Sequence, residues 1–231
     1  MPKPPRHAPG GIIFHCINRG NARSRIFDDD GDYAAFERVL GESLTRVPVR
    51  LLAYCLMPNH WHLILWPSAD GQLPAFMHWL TVTHVRRWHA HQHTEGAGHL
   101  YQGTYKSFPV QDDGHYLVVA RYVERNPLRA KLVERAEDWR WSSLWAVEHG
   151  QAQQRGLLSQ WPVARPADWV ELVNIPQSPA ELEAVRVSVR RGRPYGQESW
   201  QRQTAGLLAL EASFRPQGRP AEATRGVTCR R

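Results

Sequence analysis

Cysteine is scarce in this chain. Cys16, Cys55 and Cys229 fall in no CxxC or other paired spacing, which gives no disulfide framework and no zinc knuckle. A reducing, cytoplasmic setting is the expectation that follows. Long apolar runs are missing as well. No stretch approaches the roughly 18 apolar residues of a membrane span. The opening Met1-Pro2-Lys3-Pro4-Pro5-Arg6 has no apolar stretch behind its basic residues, so neither a membrane partner nor a secretory signal is expected. Lysine is missing from residues 186–231, yet that segment is the basic one. It holds ten arginines against three glutamates and carries the entire net charge of +7, leaving residues 1–185 balanced. A neutral body with an arginine tail points to a polyanion partner, nucleic acid first, and arginine suits phosphate forks and groove insertion better than lysine does.

What remains is ample for folding. The apolar fraction is 42% of 231 residues, enough for a core and against wholesale disorder. At a prior of roughly 150 residues per domain, one domain with an extension is expected. The chain divides into a body over residues 1–150, a wrapping segment over 151–185, and the basic tail over 186–231, with residues 136–185 rich in Trp and expected to wrap the body. Within the body, residues 11–18 read as a strand. The acids of Asp28-Asp29-Asp30 then cap a helix from about Asp32 to Arg46, with Tyr33, Phe36, Val39, Leu40 and Leu44 on one face. Arg50–Leu56 and His60–Trp66 form a β-hairpin about Met57-Pro58-Asn59. A second helix covers about 74–91, a fourth strand Tyr101–Val110, and a third helix about His115–Arg125. The order β α β β α β α predicts an α+β, ferredoxin-like four-stranded antiparallel sheet with helices on one face.

Two segments carry chemistry. In Pro58-Asn59-His60-Trp61-His62 the histidines are two apart on a strand, so their imidazoles share a face about 7 Å apart and could converge on one metal. Trp61, Leu63 and Leu65 take the opposite face, where a core would lie, and leave the pair on the sheet's open side. In Tyr122-Val123-Glu124-Arg125-Asn126-Pro127 a phenol and an amide are one helical turn apart. Pro127 disfavours helical backbone at Asn126, so this spacing is near its limit. Tyr122 also fits an apolar stripe with Val118, Val119 and Val123, where an aromatic is ordinarily core.

The HxH hairpin followed by Tyr-x-x-x-Asn-Pro-x-Arg-Ala resembles the REP-associated tyrosine transposases, bacterial relatives of the single-tyrosine, HUH-class insertion-sequence transposases. Arg19-Gly20-Asn21, Gln102-Gly103-Thr104-Tyr105-Lys106-Ser107 and Trp139-Arg140-Trp141-Ser142-Ser143 extend the resemblance over residues 8–150 in the right order. The resemblance implies a DNA-nicking and strand-joining enzyme that acts at palindromic repeat hairpins through a 5′-phosphotyrosine intermediate. In it, Tyr122 would be the nucleophile, His60, His62 and Asn126 the ligands of Mg²⁺ or Mn²⁺, and single-stranded or hairpin DNA the partner. It further implies a bacterial, nucleoid-associated location and a monomer or homodimer. Arg19, Arg86, Arg87, Lys106, Arg121 and Arg125 would contact DNA. A second reading keeps the same body as a hairpin-binding module that does not cut. In the tail, Gly192-Arg193-Pro194 and Gly218-Arg219-Pro220 are short copies of one pattern that resembles an AT-hook core, so Arg191, Arg193 and Arg219 are expected on an accessory DNA-binding arm.

Overall fold

The computed structural model describes residues 8–96 and 98–215. Four strands, β1 (Ile13–Arg19), β2 (Arg50–Met57), β3 (His60–Trp66) and β4 (Lys106–Val110), form one antiparallel sheet in the order β2-β3-β1-β4. The helices are α1 (Asp30–Arg46), α2 (Gln72–Gln92), α3 (Gly114–Glu124), α4 (Asn126–Arg129), α5 (Ser143–Glu148), α6 (Ala152–Arg155), α7 (Trp169–Asn174), α8 (Pro179–Arg191) and α9 (Glu198–Leu207). The four-stranded antiparallel sheet is as the sequence predicts. The fourth strand is shorter than expected. It begins at Lys106, and Tyr101 makes only an isolated bridge to Gly20.

The helices cover both faces of the sheet, not one. Phe14, Cys16, Leu63 and Leu65 pack under α1 and α2, together with Phe36, Leu40, Phe76 and Leu80. Ile13, Cys55, Ile64, Phe108 and Val110 pack on the other side under Val119, Ala120, Tyr122 and Val123 of α3. The physical reason lies in the strands. β1 and β2 are apolar at odd and even positions alike, and their side chains are buried almost throughout. A strand apolar on both sides needs a cover on each.

Local chemistry starts the helices where the acids stand. The Asp29 carboxylate caps α1 by accepting from the amides of Gly31 and Asp32 at 2.8 and 3.1 Å. Asp113 caps α3 by accepting from the His115 amide at 2.8 Å. The Trp-rich residues 136–185 are tied to β2. The indoles of Trp139 and Trp161 donate to the carbonyls of Leu56 and Leu52, each at 2.8 Å, and the Leu56 amide donates to the Trp141 carbonyl at 2.8 Å. On the far edge the Tyr195 amide donates to the Pro109 carbonyl at 2.8 Å. Both sheet edges are thereby covered, the usual protection against edge-to-edge pairing.

Candidate active site

β3 sends Trp61, Leu63 and Leu65 into the α1–α2 layer, and so turns His60 and His62 towards α3. That side is not open, as the sequence suggested. α3 and α4 close over it, and His62 is 1% exposed. Cross-strand pairing sets out the neighbours. Arg19 on β1 stands opposite His60, and Ile17 stands opposite His62 and, on its other side, Lys106 of β4. The two imidazole centroids are 5.0 Å apart. The turn that carries them is held from the β1 side. Gly20 donates to the Asn59 carbonyl at 2.9 Å, and a Cβ at Gly20 would lie 2.2 Å from the Ser24 carbonyl oxygen, so only glycine fits there.

Tyr122 and Asn126 come from the last turn of α3 and the first of α4. Pro127 does not carry Asn126 away. The helix restarts, with Arg125 donating to the Arg121 carbonyl at 2.9 Å and Ala130 to the Asn126 carbonyl at 2.9 Å. Pro127 sits in the first turn of α4, where its missing N–H is no loss. Asn126 is 6% exposed and Tyr122 8%. The amide nitrogen of Asn126 is 2.6 Å from His62 Nε2. The Tyr122 ring stands edge-on to His62 with centroids 5.9 Å apart. Its hydroxyl makes no hydrogen bond among the described residues and is not one of their sealed, unpartnered polar atoms. Two imidazoles, an amide and a phenol, drawn from residues 60 to 126, therefore share one small volume.

The electrostatics of that volume favour an anion. Burial, then the charges of Arg19 and Arg129, push the His60 imidazole down to about 3. Burial holds His62 well below its usual value, with His15, His60 and both arginines adding to the effect. Each imidazole is thus neutral at ordinary pH and keeps a nitrogen lone pair, the form a metal requires. Among the described residues no three His, Cys, Asp or Glu side chains cluster as a metal site. A metal here would rest on two imidazoles and the Asn126 amide oxygen, after that amide turns over. These donors fit a divalent cation, which would keep its full charge because no ligand is anionic.

The remaining candidate residues divide by location. Arg19 and Lys106 lie on the site's face of the sheet. Arg86 and Arg87 ride on α2, in the opposite layer, where Arg87 forks onto Glu42 at 2.8 and 2.7 Å. Arg121 and Arg125 flank Tyr122 in sequence but turn to the end of α7. Arg121 donates to the Ile175 carbonyl at 2.6 Å and Arg125 to that of Val173 at 2.8 Å and to that of Asn174. The tail to residue 215 is folded. Helix α8 runs through residue 186, and Gly192, at φ 71°, is its left-handed cap, so Gly192-Arg193-Pro194 is a helix end and not an extended strip. Arg191 and Arg193 donate to the Ser213 carbonyl at 2.8 and 3.2 Å. Arg219 and the second Gly-Arg-Pro lie outside the described residues.

The sequence model of the family described as "Transposase IS200 like" matches residues 10–126, just over half of the chain. The chain belongs to the IS200-like transposase family. The match ends on Asn126 and takes in both histidines and Tyr122. No curated protein matches this transposase. Among solved structures it is similar to a REP-associated tyrosine transposase bound to a REP hairpin, at 19% identity and TM-score 0.48 over 77% of this chain and 96% of that one. It is also similar to a candidate transposase from Deinococcus radiodurans, at 19% identity and TM-score 0.38 over 57% and 92%. Among the described residues of the transposase, no helix is long and apolar enough to cross a membrane.

Two residues at the site escaped sequence reasoning. Arg129 places its guanidinium 4.4 Å from the centroid of the Tyr122 ring. It stands in the Asn-Pro-x-Arg motif, and that was its only signal. His15 contacts His62 directly, its Nε2 2.8 Å from His62 Nδ1. In sequence it is a single histidine inside an apolar strand, a pattern that core histidines share.

Proposed function

We propose that this transposase is a metal-dependent, single-strand DNA endonuclease and strand transferase that cuts and rejoins DNA beside palindromic repeat hairpins. The observation that carries the reading is the convergence of the Tyr122 phenol, the His60 and His62 imidazoles and the Asn126 amide, with Arg129 and Arg19 beside them and no carboxylate among them. His60 and His62, through Nε2, and Asn126, through Oδ1, would hold Mg²⁺ or Mn²⁺. When bound, the ion would polarise the scissile phosphate and absorb charge in the transition state.

The chain's own residues supply the rest. Tyr122 attacks phosphorus. Its O–P bond forms as the bond from phosphorus to the 3′ oxygen breaks, the phenolic proton leaves, and the departing 3′ oxygen takes one up. The DNA 5′-phosphate stays on Tyr122 as a phosphodiester, so an incoming 3′-hydroxyl reverses the step without an external energy source. A free phenol near pKa 10 is a weak nucleophile at neutral pH, which is why cations are needed around it. Arg129, lying over the Tyr122 ring, holds the phosphate. Arg19 and Lys106, on the same face of the sheet, follow the backbone of the strand that leads to it.

The test is adduct formation. A labelled single-stranded oligonucleotide carrying a palindromic hairpin from the DNA flanking the gene is mixed with the full chain and Mg²⁺ or Mn²⁺, then run on a denaturing gel. The reading predicts a covalent protein–DNA band that Tyr122→Phe abolishes and His62→Ala and Asn126→Ala reduce. Retarded but uncut DNA in a native gel, with no adduct in either metal, leaves a hairpin-binding module and ends the enzyme reading.

A further inference from the structure

His15 lies in the middle of β1, wholly buried, on the same face as Ile13 and Ile17. Its ladder partner is Ile64, so it meets His62 on the diagonal, where long side chains of adjacent strands reach one another. The ring is walled by Phe108 at 4.7 Å and by the edge of Tyr122 at 6.4 Å between centroids. Its Nε2 is 2.8 Å from His62 Nδ1, while its own Nδ1 is buried with no partner among the described residues. Packing does not explain a histidine here. The strand position suits a branched apolar residue, and an unpaired buried polar atom is destabilising. The contact with His62 is what the histidine adds.

The direction of that contact follows from its neighbours. Asn126 presents its amide nitrogen to His62 Nε2 at 2.6 Å. An amide nitrogen can only donate, so Nε2 holds a lone pair, Nδ1 carries the proton, and His15 Nε2 accepts it. His60 is arranged alike. Its Nδ1 is 2.6 Å from the Asn59 Oδ1, and the Asn59 amide nitrogen is already given to the Arg23 carbonyl at 3.2 Å. Asn59 Oδ1 therefore accepts, and His60 Nε2 is bare. Each imidazole has Nδ1 tied down behind it and an Nε2 lone pair in front, which in His62 accepts from Asn126 and in His60 has no partner among the described residues.

We propose that His15 is a positioning residue: by accepting the Nδ1 proton of His62 it fixes that ring's tautomer and orientation, so that Nε2 is presented as a metal-ligating lone pair. Fixing a ligating histidine through its other nitrogen is a general way to tune a metal site; here a second buried histidine does it, not a carboxylate. The part of the inference that concerns metal rests on the function proposed above. The part that concerns the tautomer does not.

The experiment uses the full chain labelled with ¹⁵N-histidine. In the metal-free protein, long-range ¹H–¹⁵N correlations, with His62 assigned by comparison with His62→Gln, read where its proton sits. The wild type shows His62 protonated at Nδ1, and His15→Leu shows it moved to Nε2 or shared. Mn²⁺ affinity is then read from the electron paramagnetic resonance of the free ion. His15→Leu binds about 10–100-fold more weakly, His15→Gln, which can still accept the proton, recovers most of the loss, and the melting temperature of His15→Leu is unchanged or higher. A His62 protonated at Nε2 in the wild type overturns the proposal, as does a His15→Leu that keeps the wild-type tautomer. A wild type that binds neither Mn²⁺ nor Mg²⁺ overturns the metal reading instead, and the tautomer in His15→Leu still decides the role of His15.

Discussion

The guanidinium carbon of Arg129 lies 4.4 Å from the centroid of the Tyr122 ring, and Arg129 Nη1 is buried with no partner among the described residues. Burial lowers the affinity of Arg129 for its proton, with Arg186 adding to that and Tyr122 among the groups opposing it. A cation held on an aromatic face, with one donor unused and no carboxylate bonded to it, is a half-made ion pair. The missing half is an anion that arrives with the substrate.

Arg129→Gln therefore leaves the fold intact, with an unchanged or raised melting temperature, because it removes an uncompensated buried charge. Single-turnover cleavage falls by about 10²–10³-fold, the scale for losing one preorganised donor at a developing charge. Arg129→Lys does not restore it, since an ammonium gives neither the planar fork nor the stacking on Tyr122. Quench-flow cleavage of a hairpin oligonucleotide beside a thermal melt checks both statements. Unchanged cleavage in Arg129→Gln would show that the phosphate is held elsewhere.

Two residues beyond Tyr122 on the same helix, Glu124 is buried and bridges the body to the wrapping segment. Its carboxylate accepts from the Ser143 hydroxyl at 2.6 Å and from the Trp169 indole at 2.7 Å. Ser143 in turn accepts from the Tyr54 amide of β2 at 3.0 Å. Burial raises the Glu124 pKa above the usual carboxylate range, against the two hydrogen bonds that lower it. The ionised form is thus a cost at neutral pH that lessens as pH falls through the raised value. Glu124→Gln keeps an acceptor for Trp169 without the charge and reverses the bond to Ser143, its amide nitrogen donating to a hydroxyl that can give its own proton to the Tyr54 carbonyl at 3.2 Å, and so stays folded and loses that pH dependence. Glu124→Ala strands both partners and destabilises by about 2–5 kcal/mol. Urea titrations of the two variants at several pH values separate these outcomes.

The acid limb of stability belongs to the buried histidines. His84 on α2 is sealed in the opposite layer, with Nδ1 2.6 Å from the Tyr101 hydroxyl. Burial lowers it to about 3, and burial with His60 does the same for His15. In the unfolded chain each titrates near 6.5. Between those values the unfolded state binds protons that the folded state refuses, so stability is full above about pH 6.5 and falls as pH drops towards 3. Replacing His84 by Gln removes one such group and flattens the slope in that window by up to about 1.4 kcal/mol per pH unit. Chemical denaturation across pH 4–7 reads the slope directly. An unchanged slope would mean that His84 already takes up its proton in the folded protein.

Legibility in the sequence followed how local each signal was. The acids that cap α1, the two-residue turn between Met57 and His60, and the single turn between Tyr122 and Asn126 are all set within a few residues, and they stand where the sequence puts them. The second helical cover was written in β1, where Ile13 and Ile17 are apolar on one side and Phe14 and Cys16 on the other. Which helices would supply it depends on long-range packing that no short window contains. His15 and Arg129 were opaque for a related reason. Each acquires meaning only from a partner that the fold brings to it, His62 from 47 residues away and the Tyr122 ring from the preceding helix.

The tail was the least legible part, because charge does not say whether an arginine faces a phosphate or a carbonyl of its own chain. Arg191 donates to the carbonyls of Ala212, Ser213 and Arg215, and Arg193 stacks 4.6 Å from the Phe214 ring centroid while donating to Ser213. Two guanidiniums thus close the 3-10 turn at Glu211–Phe214 onto the end of α8. If that is their work, Arg191→Ala speeds amide hydrogen exchange across 207–215, by an amount corresponding to about 1–3 kcal/mol of local stability, and leaves hairpin affinity and its salt dependence as they were. A DNA-binding arm makes the opposite prediction: unchanged exchange, weaker binding, and a slope of log affinity against log salt shallower by roughly one unit for each phosphate the variant no longer neutralises. Exchange measured by mass spectrometry and binding measured across a salt series, on the same variant, give an answer in which only one of the two accounts survives.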